Sequence, residues 1–256
     1  MRVLLVDIGN TRIKWARFDG ERLGTRRAAV HSAWHSADYA RRLFGSARLL
    51  ECMLVASVAG SRVDRMLAAA ARRAGVPARF VTVPRRAAGV TVGYLEPWRL
   101  GVDRFVAAVG AHHLFKGVAT CVVGVGTAMT IDLITAAGRH RGGVIIPAPG
   151  LMVDTLLNNT HGIRRRARGG ASGAGLFGRS TRAAIVQGSR YAAAATIDRA
   201  VEEASTLLGR RPLVVLTGGE APAVRPLVRS PCVGVPDLVL RGLAVLSLLP
   251  QPLRRR

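Results

Sequence analysis

Val3-Leu4-Leu5-Val6-Asp7-Ile8-Gly9-Asn10-Thr11-Arg12-Ile13-Lys14-Trp15-Ala16-Arg17-Phe18 opens the chain, and its reading decides the fold. Val3 to Val6 is an unbroken aliphatic run, the pattern of a strand covered on both faces. Asp7-Ile8-Gly9-Asn10-Thr11 carries turn chemistry. Ile13 to Phe18 then alternates apolar and polar residues, which predicts a second strand and not a helix. A glycine turn joining two strands differs from the dinucleotide fingerprint, whose glycines open a helix.

The same design returns 117 residues later. Cys121-Val122-Val123 is apolar, Gly124-Val125-Gly126-Thr127-Ala128 turns, and Met129-Thr130-Ile131-Asp132-Leu133 reads as a returning strand. Gly9 falls on Gly126 and Asn10 on Thr127, so two related halves are expected, with a boundary near residue 118: domains 1–118 and 119–256, the second including a closing helix at 238–249. Further strands are expected at 54–58, 80–83 and 212–216, and helices at 63–75, 105–115 and 181–208. Arg164 to Arg179 reads as a long glycine-rich loop.

These turns suit phosphate. A glycine lets backbone N–H groups approach an anion with no Cβ in the way. Asp7, at the strand end, can hold magnesium through water, and Lys14 on the returning strand offers a point charge. Gly126-Thr127 makes a second cradle with a hydroxyl donor. Two such hairpins facing across an interdomain cleft would bind a triphosphate, and Gly218-Gly219 would let a base or ribose lie against the backbone.

Composition bounds the remaining classes. With 256 residues, 49% hydrophobic, the chain can bury a core unaided, which excludes general disorder. Cys52, Cys121 and Cys232 are too few and too scattered for a disulfide framework or a cysteine zinc site, and a reducing cytoplasm suits them. The opening apolar run is too short for a signal segment, and no stretch is long enough to span a membrane. Net charge is +23, nearly all arginine, since Lys14 and Lys116 are the only lysines. The arginines are dispersed and few aromatics interleave them, so solvated basic faces fit better than a nucleic-acid surface. Any DNA binding is expected to be weak, sequence-blind and salt-labile.

Taken together in chain order, Asp7 to Lys14, Gly93-Tyr94, Gly101-Val102-Asp103-Arg104, Gly126 to Asp132 and Gly142-Gly143 resemble the type III pantothenate kinases, within the acetate-and-sugar-kinase, heat-shock-ATPase and actin superfamily. The resemblance implies a duplicated actin-like (ribonuclease H-like) α/β fold, a homodimer, and phosphorylation of pantothenate by MgATP, the first step towards coenzyme A. It implies that Asp7, Ile8, Gly9, Asn10, Thr11, Arg12, Ile13, Lys14, Gly126 and Thr127 contact ATP. It implies that Tyr94, Gly101, Val102, Asp103, Arg104 and Thr181 contact pantothenate, with Thr181 reaching across the subunit interface and Asp103 accepting the proton. Without the motif, Asp103 reads sooner as a helix N-cap before Phe105.

Two departures stand out. Gly124 occupies the position where the family usually has an aspartate that helps hold an activating potassium or ammonium ion, and Pro147-Ala148 replaces the family's Pro-Gly. Two other functions remain open: a non-catalytic, nucleic-acid-associated regulatory relative, and an actin-like kinase for another small hydroxy acid. His31 and His35 read as surface histidines. His112 and His113 read as helix residues without a catalytic partner, and His161 as a loop residue.

Overall fold

β1 (Val3–Ile8) is buried along its whole length, as a strand covered on both faces must be. β2 (Arg12–Phe18) returns antiparallel beside it and sends Ile13 and Trp15 into the core. β3 (Arg27–Val30) extends the antiparallel edge. After α1 (Ser36–Phe44), β4 (Cys52–Ser57) joins the other side of β1 in parallel. α2 (Ser61–Arg73) then leads to β5 (Ala78–Phe80), parallel to β4. The sheet order is β3-β2-β1-β4-β5. A small ribbon of β6 (Arg86–Ala87) and β7 (Val90–Thr91) precedes α3 (Val102–Leu114). The structure is a computed structural model that describes residues 2–45, 50–169 and 175–249.

A second sheet repeats this plan. β8 (Thr120–Val125) and β9 (Ala128–Ile134) form the antiparallel hairpin, with β10 (His140–Pro147) beyond β9. After α4 (Pro149–Asn159), α5 (His161–Arg166) and α6 (Thr181–Leu208), β11 (Leu213–Thr217) pairs with β8 in parallel. α7 (Ala221–Val224) leads to β12 (Cys232–Gly234), parallel to β11, and α8 (Leu238–Ser247) closes the chain. The order β10-β9-β8-β11-β12 matches the first sheet strand for strand. Among the described residues no helix is long and apolar enough to cross a membrane.

The chain forms two compact units that a single cut does not separate. One holds the described residues within 1–116, 137–140 and 237–256; the other holds 117–136 and 141–236. The division at 118 therefore misplaces α8, which belongs to the first unit. Its apolar side, with Leu238, Leu240 and Leu243 buried, packs on α3 and β1. Residues 137–140 join the first unit because Thr91 N–H donates to the Gly138 carbonyl and Thr91 bridges Arg139. The expected 164–179 loop is helical as far as Arg166, and His161 begins that helix instead of lying in a loop. Gly170 and Gly173 of that stretch, and the arginine run 254–256, lie outside the described residues.

α3 and α8 approach so closely that two glycines are required where they meet. A Cβ on Gly242 would lie 1.9 Å from the Val106 carbonyl oxygen, and one on Gly110 would lie 2.6 Å from that of Leu238. Both obstacles are backbone and cannot swing aside. Gly242→Ala is therefore expected to destabilise the fold by about 2 kcal/mol or more, despite the ~1 kcal/mol helix-propensity gain of alanine. Gly188→Ala in α6, where nothing lies within 4 Å, should be neutral or mildly stabilising. Denaturant unfolding of the two variants checks this.

Candidate active site

The β1–β2 register sets Asp7 directly opposite Lys14. Lys14 Nζ donates to Asp7 Oδ2 at 3.1 Å, with the carboxylate buried and the ammonium half-buried. The turn between them is closed by Gly9 N–H donating to the Arg12 carbonyl at 3.0 Å, and Asn10, Thr11 and Arg12 are exposed. Ile8 and Ile13 turn their side chains into the core, so of the eight residues 7–14 these two can meet a nucleotide only through backbone.

The second hairpin is plainer. Its register pairs Gly124 with Thr130 and Val125 with Met129, where the first pairs Asp7 with Lys14 and Ile8 with Ile13. The offset of 117 holds on β8 but becomes 116 on β9, because the second turn is one residue shorter. Gly126 N–H closes it onto the Ala128 carbonyl at 3.0 Å, with Gly126 and Thr127 exposed. Glycine and threonine thus stand where the first hairpin has aspartate and lysine. Gly218, at φ +104°, is demanded by this hairpin's own backbone, since a Cβ there would lie 2.2 Å from the Val125 carbonyl oxygen.

The second cluster of the first unit sits at the start of α3. Gly101 is the N-cap residue, and a Cβ there would fall 2.7 Å from Asp103 Oδ1, so glycine makes room for the carboxylate. Asp103 lies inside the first turn and does not cap the helix; its Oδ1 accepts the Arg104 N–H at 2.9 Å. Burial pushes the Asp103 carboxyl above the ordinary carboxylate range. The negative charge of Asp7 pushes the same way, against the lowering pull of the Arg104 N–H and guanidinium. Asp7 and Asp103 therefore feel each other, which ties the hairpin and α3 electrostatically. Arg104 is buried; its Nη1 donates to the Tyr94 hydroxyl at 3.2 Å and its guanidinium lies 5.8 Å from that ring's centre.

Two residues that sequence reasoning missed hold Tyr94 from behind. Arg85 donates to the Tyr94 and Leu95 carbonyls at 2.7 and 2.6 Å. Buried His140 packs its ring 5.5 Å from Tyr94, and its Nδ1 accepts the Gly93 N–H at 3.4 Å. No local pattern around either residue signals this, because both partners are made by the fold. His31 is a further correction: it is buried, not a surface histidine, and bonds to Gly9 and Tyr39. His35 is exposed and takes part in a capping box at the start of α1. Thr181, half-buried, is the first residue of α6, whose N-cap Ser180 accepts the Ala183 N–H at 3.1 Å. Burial pushes the Cys121 thiol up to about 12, which removes it as a nucleophile.

Chemically, the first unit offers a glycine turn with an exposed tip, a carboxylate–ammonium pair, and a raised carboxylate beside an anchored Arg–Tyr pair. That set fits phosphoryl transfer to an alcohol, where positioning and charge placement do most of the catalysis. A monovalent cation would find a poor fit at the end of β8, because Gly124 brings no side-chain oxygen and a hard cation needs several to replace its hydration shell.

Comparison with known proteins agrees. The family model described as type III pantothenate kinase matches residues 3–203. A type III pantothenate kinase of Aromatoleum aromaticum is 37% identical over 246 residues, covering 96% of this chain and 97% of that protein. One from Nitrosococcus oceani is 34% identical over 247 residues, covering 94% and 92%. Among solved structures, component A of the Acidaminococcus fermentans (R)-2-hydroxyglutaryl-CoA dehydratase matches with a TM-score of 0.55 at 13% identity, covering 96% of this chain and 95% of that one. A ROK family glucokinase of Streptomyces griseus, in complex with glucose and AMPPNP, matches at 0.53 and 12%, covering 96% and 99%. At such identities these two speak for the fold, a duplicated actin-like α/β architecture. The arrangement of the first unit's residues and the near-full-length similarity converge, and this chain belongs to the type III pantothenate kinase family.

Proposed function

We propose that this chain transfers the γ-phosphoryl group of MgATP to the primary hydroxyl of pantothenate, with Asp103 as the proton acceptor. The bond from the γ-phosphorus to the bridging oxygen of ADP breaks as the bond to the pantothenate hydroxyl oxygen forms, and the hydroxyl proton passes to Asp103. The observation that carries this reading is the raised Asp103 carboxyl, held next to Gly101 and reached by the charge of Asp7. A carboxylate pushed up by burial is a stronger base than an exposed one, which suits it to accept the hydroxyl proton.

The other roles follow from chemistry and placement. Asp7 suits water-mediated contact to the nucleotide's magnesium, and Lys14 suits a phosphate oxygen. Each satisfies the other, so the buried Asp7 carboxylate is not left uncompensated. Asn10 to Arg12 and Thr127 suit backbone contact to phosphates, and Thr127 adds a hydroxyl. Tyr94 and Arg104 restrain each other where pantothenate's polar atoms would be received. A cytoplasmic homodimer, with Thr181 contributed by the second copy, completes the proposal. Exposed Val144 and Ile145 on β10 and Leu151 and Leu156 on α4 give the second unit an apolar surface suited to such a partner.

Three outcomes test this reading. Asp103→Asn should leave MgATP binding intact and lower pantothenate-dependent ADP release on the order of 10²–10⁴-fold, because an amide cannot take the proton. Near wild-type turnover would remove Asp103 as base.

The same variant should melt higher than the parent at pH 7. The Asp103 carboxyl is raised in the folded state, so its stabilising contribution is full below the unfolded value of 3.8 and is lost as pH rises through the folded one. Asparagine avoids that loss and keeps the oxygen that accepts the Arg104 N–H. The gap in melting temperature should close as pH falls towards 3.8.

Catalysis should be largely indifferent to potassium at fixed ionic strength, with a bulky organic cation as the balancing salt. Gly124→Asp should introduce a response; its Cβ would lie 3.1 Å from Thr130 Oγ1, a hydroxyl that can turn aside. Strong, saturable activation of the unaltered protein would show that other groups complete a cation site.

A further inference from the structure

We propose that His31 is a positioning residue that locks the phosphate-binding turn of the first hairpin in its anion-receiving conformation. The proposal rests on the reading of that turn as the nucleotide phosphate site. His31 follows β3 directly and fastens the turn twice. Its backbone N–H donates to the Thr11 carbonyl at 3.2 Å, and its Nε2 lies 2.7 Å from the Gly9 carbonyl oxygen. A carbonyl only accepts, so Nε2 carries the proton. Nδ1 sits 2.9 Å from the hydroxyl of fully buried Tyr39, with which it shares a hydrogen bond. The ring is further boxed by Trp34, 6.5 Å away and edge-on, itself packed on Tyr39 and Trp15.

Planarity of the peptide bond turns this anchor into function. In a trans peptide the C=O of Gly9 and the N–H of Asn10 point in opposite directions. Holding the Gly9 oxygen on buried His31 therefore directs the Asn10 N–H towards the exposed side, where a phosphate would be met. Without the anchor that peptide plane can rotate, and a binding group that must be ordered on each encounter costs affinity.

The second hairpin supplies an internal comparison. Ala148, which follows β10 as His31 follows β3, makes the same backbone bond, N–H to the Thr127 carbonyl at 3.2 Å. Its methyl group cannot reach a carbonyl at the turn. The backbone tether thus belongs to the repeated fold, whereas the imidazole anchor is particular to the hairpin that also carries Asp7 and Lys14. If His31 served only to hold β3 against the turn, the tether alone would do so, as it does in the second unit.

The test compares His31→Leu, His31→Gln, Tyr39→Phe and Lys14→Ala in steady-state assays with MgATP and pantothenate, alongside calorimetric MgATP binding and melting temperatures. All four keep the backbone tether. His31→Leu should raise the Kd and KM for MgATP about 3- to 10-fold, the loss of one hydrogen bond, and leave the KM for pantothenate within about twofold. His31→Gln, whose amide can donate to the Gly9 carbonyl, should recover most of that loss, and Tyr39→Phe should show a smaller effect of the same kind. A leucine variant with a lowered melting temperature but unchanged MgATP affinity, or with both KM values raised equally, would overturn the proposal. Should the leucine variant not fold, unchanged MgATP affinity in both His31→Gln and Tyr39→Phe, with Tyr39→Phe lowering only the melting temperature, does the same. Lys14→Ala separates the two levels. If it leaves MgATP affinity intact, the hairpin is not the phosphate site; if it weakens binding while His31→Leu does not, only the role of His31 fails.

Discussion

Everything proposed for this protein depends on the register of one antiparallel pair. β1 is buried along its whole length, and a one-residue slip would turn every side chain to the opposite face of the sheet and part Asp7 from Lys14. With β1 fixed, β2 must place Lys14 opposite Asp7 and Ile13 opposite Ile8. The carboxylate and ammonium then neutralise each other at the end of a buried strand, the pair proposed to share a magnesium-bound phosphate. The same carboxylate helps to raise Asp103 at the start of α3, and so the strand register reaches the acid–base chemistry.

Duplication gave two hairpins of one topology, and the residues show that they have diverged. The first carries Asp7, Lys14 and His31; the second carries Gly124, Thr130 and Ala148 at the matching places. The backbone features persist in both: the closing turn bond, the tether from the residue after the edge strand, and the parallel strands on the far side. At these matching places the aspartate, lysine and imidazole all stand in the first copy. Such asymmetry suits a site where one hairpin must manage metal and charge while the other needs only backbone donors and a hydroxyl.

How much of this was legible depended on whether the signal was local. The β1–β2 and β8–β9 hairpins were readable because continuous apolar runs and strict alternation have no competing periodicity, and α6 was readable from Thr181 to Leu208. Asp103 as a base came from the family motif, since an acidic residue near a helix start reads sooner as a cap. α1 escaped notice because only Tyr39, Leu43 and Phe44 of its nine residues face inward. α4 was hidden by Pro149 and Gly150, which read as loop punctuation although proline is favoured in a helix's first turn. His31 was misread because its partners, Gly9 and Tyr39, stand 22 and 8 residues away, and its spacing from His35 drew attention to the wrong pair. Arg85, His140 and the attachment of α8 to the first unit share that cause: all are contacts that only the folded chain creates.

The central claim is electrostatic, that burial and the charge of Asp7 together hold Asp103 as a raised carboxylate. The most direct measurement is an NMR titration of the Asp103 side-chain carboxyl carbon in nucleotide-free protein, parent and Asp7→Asn side by side. The account predicts a midpoint above 3.8 in the parent and a lower one, still raised by burial, once the Asp7 charge is removed. A parent midpoint at or below 3.8, or one that does not move in Asp7→Asn, would contradict it.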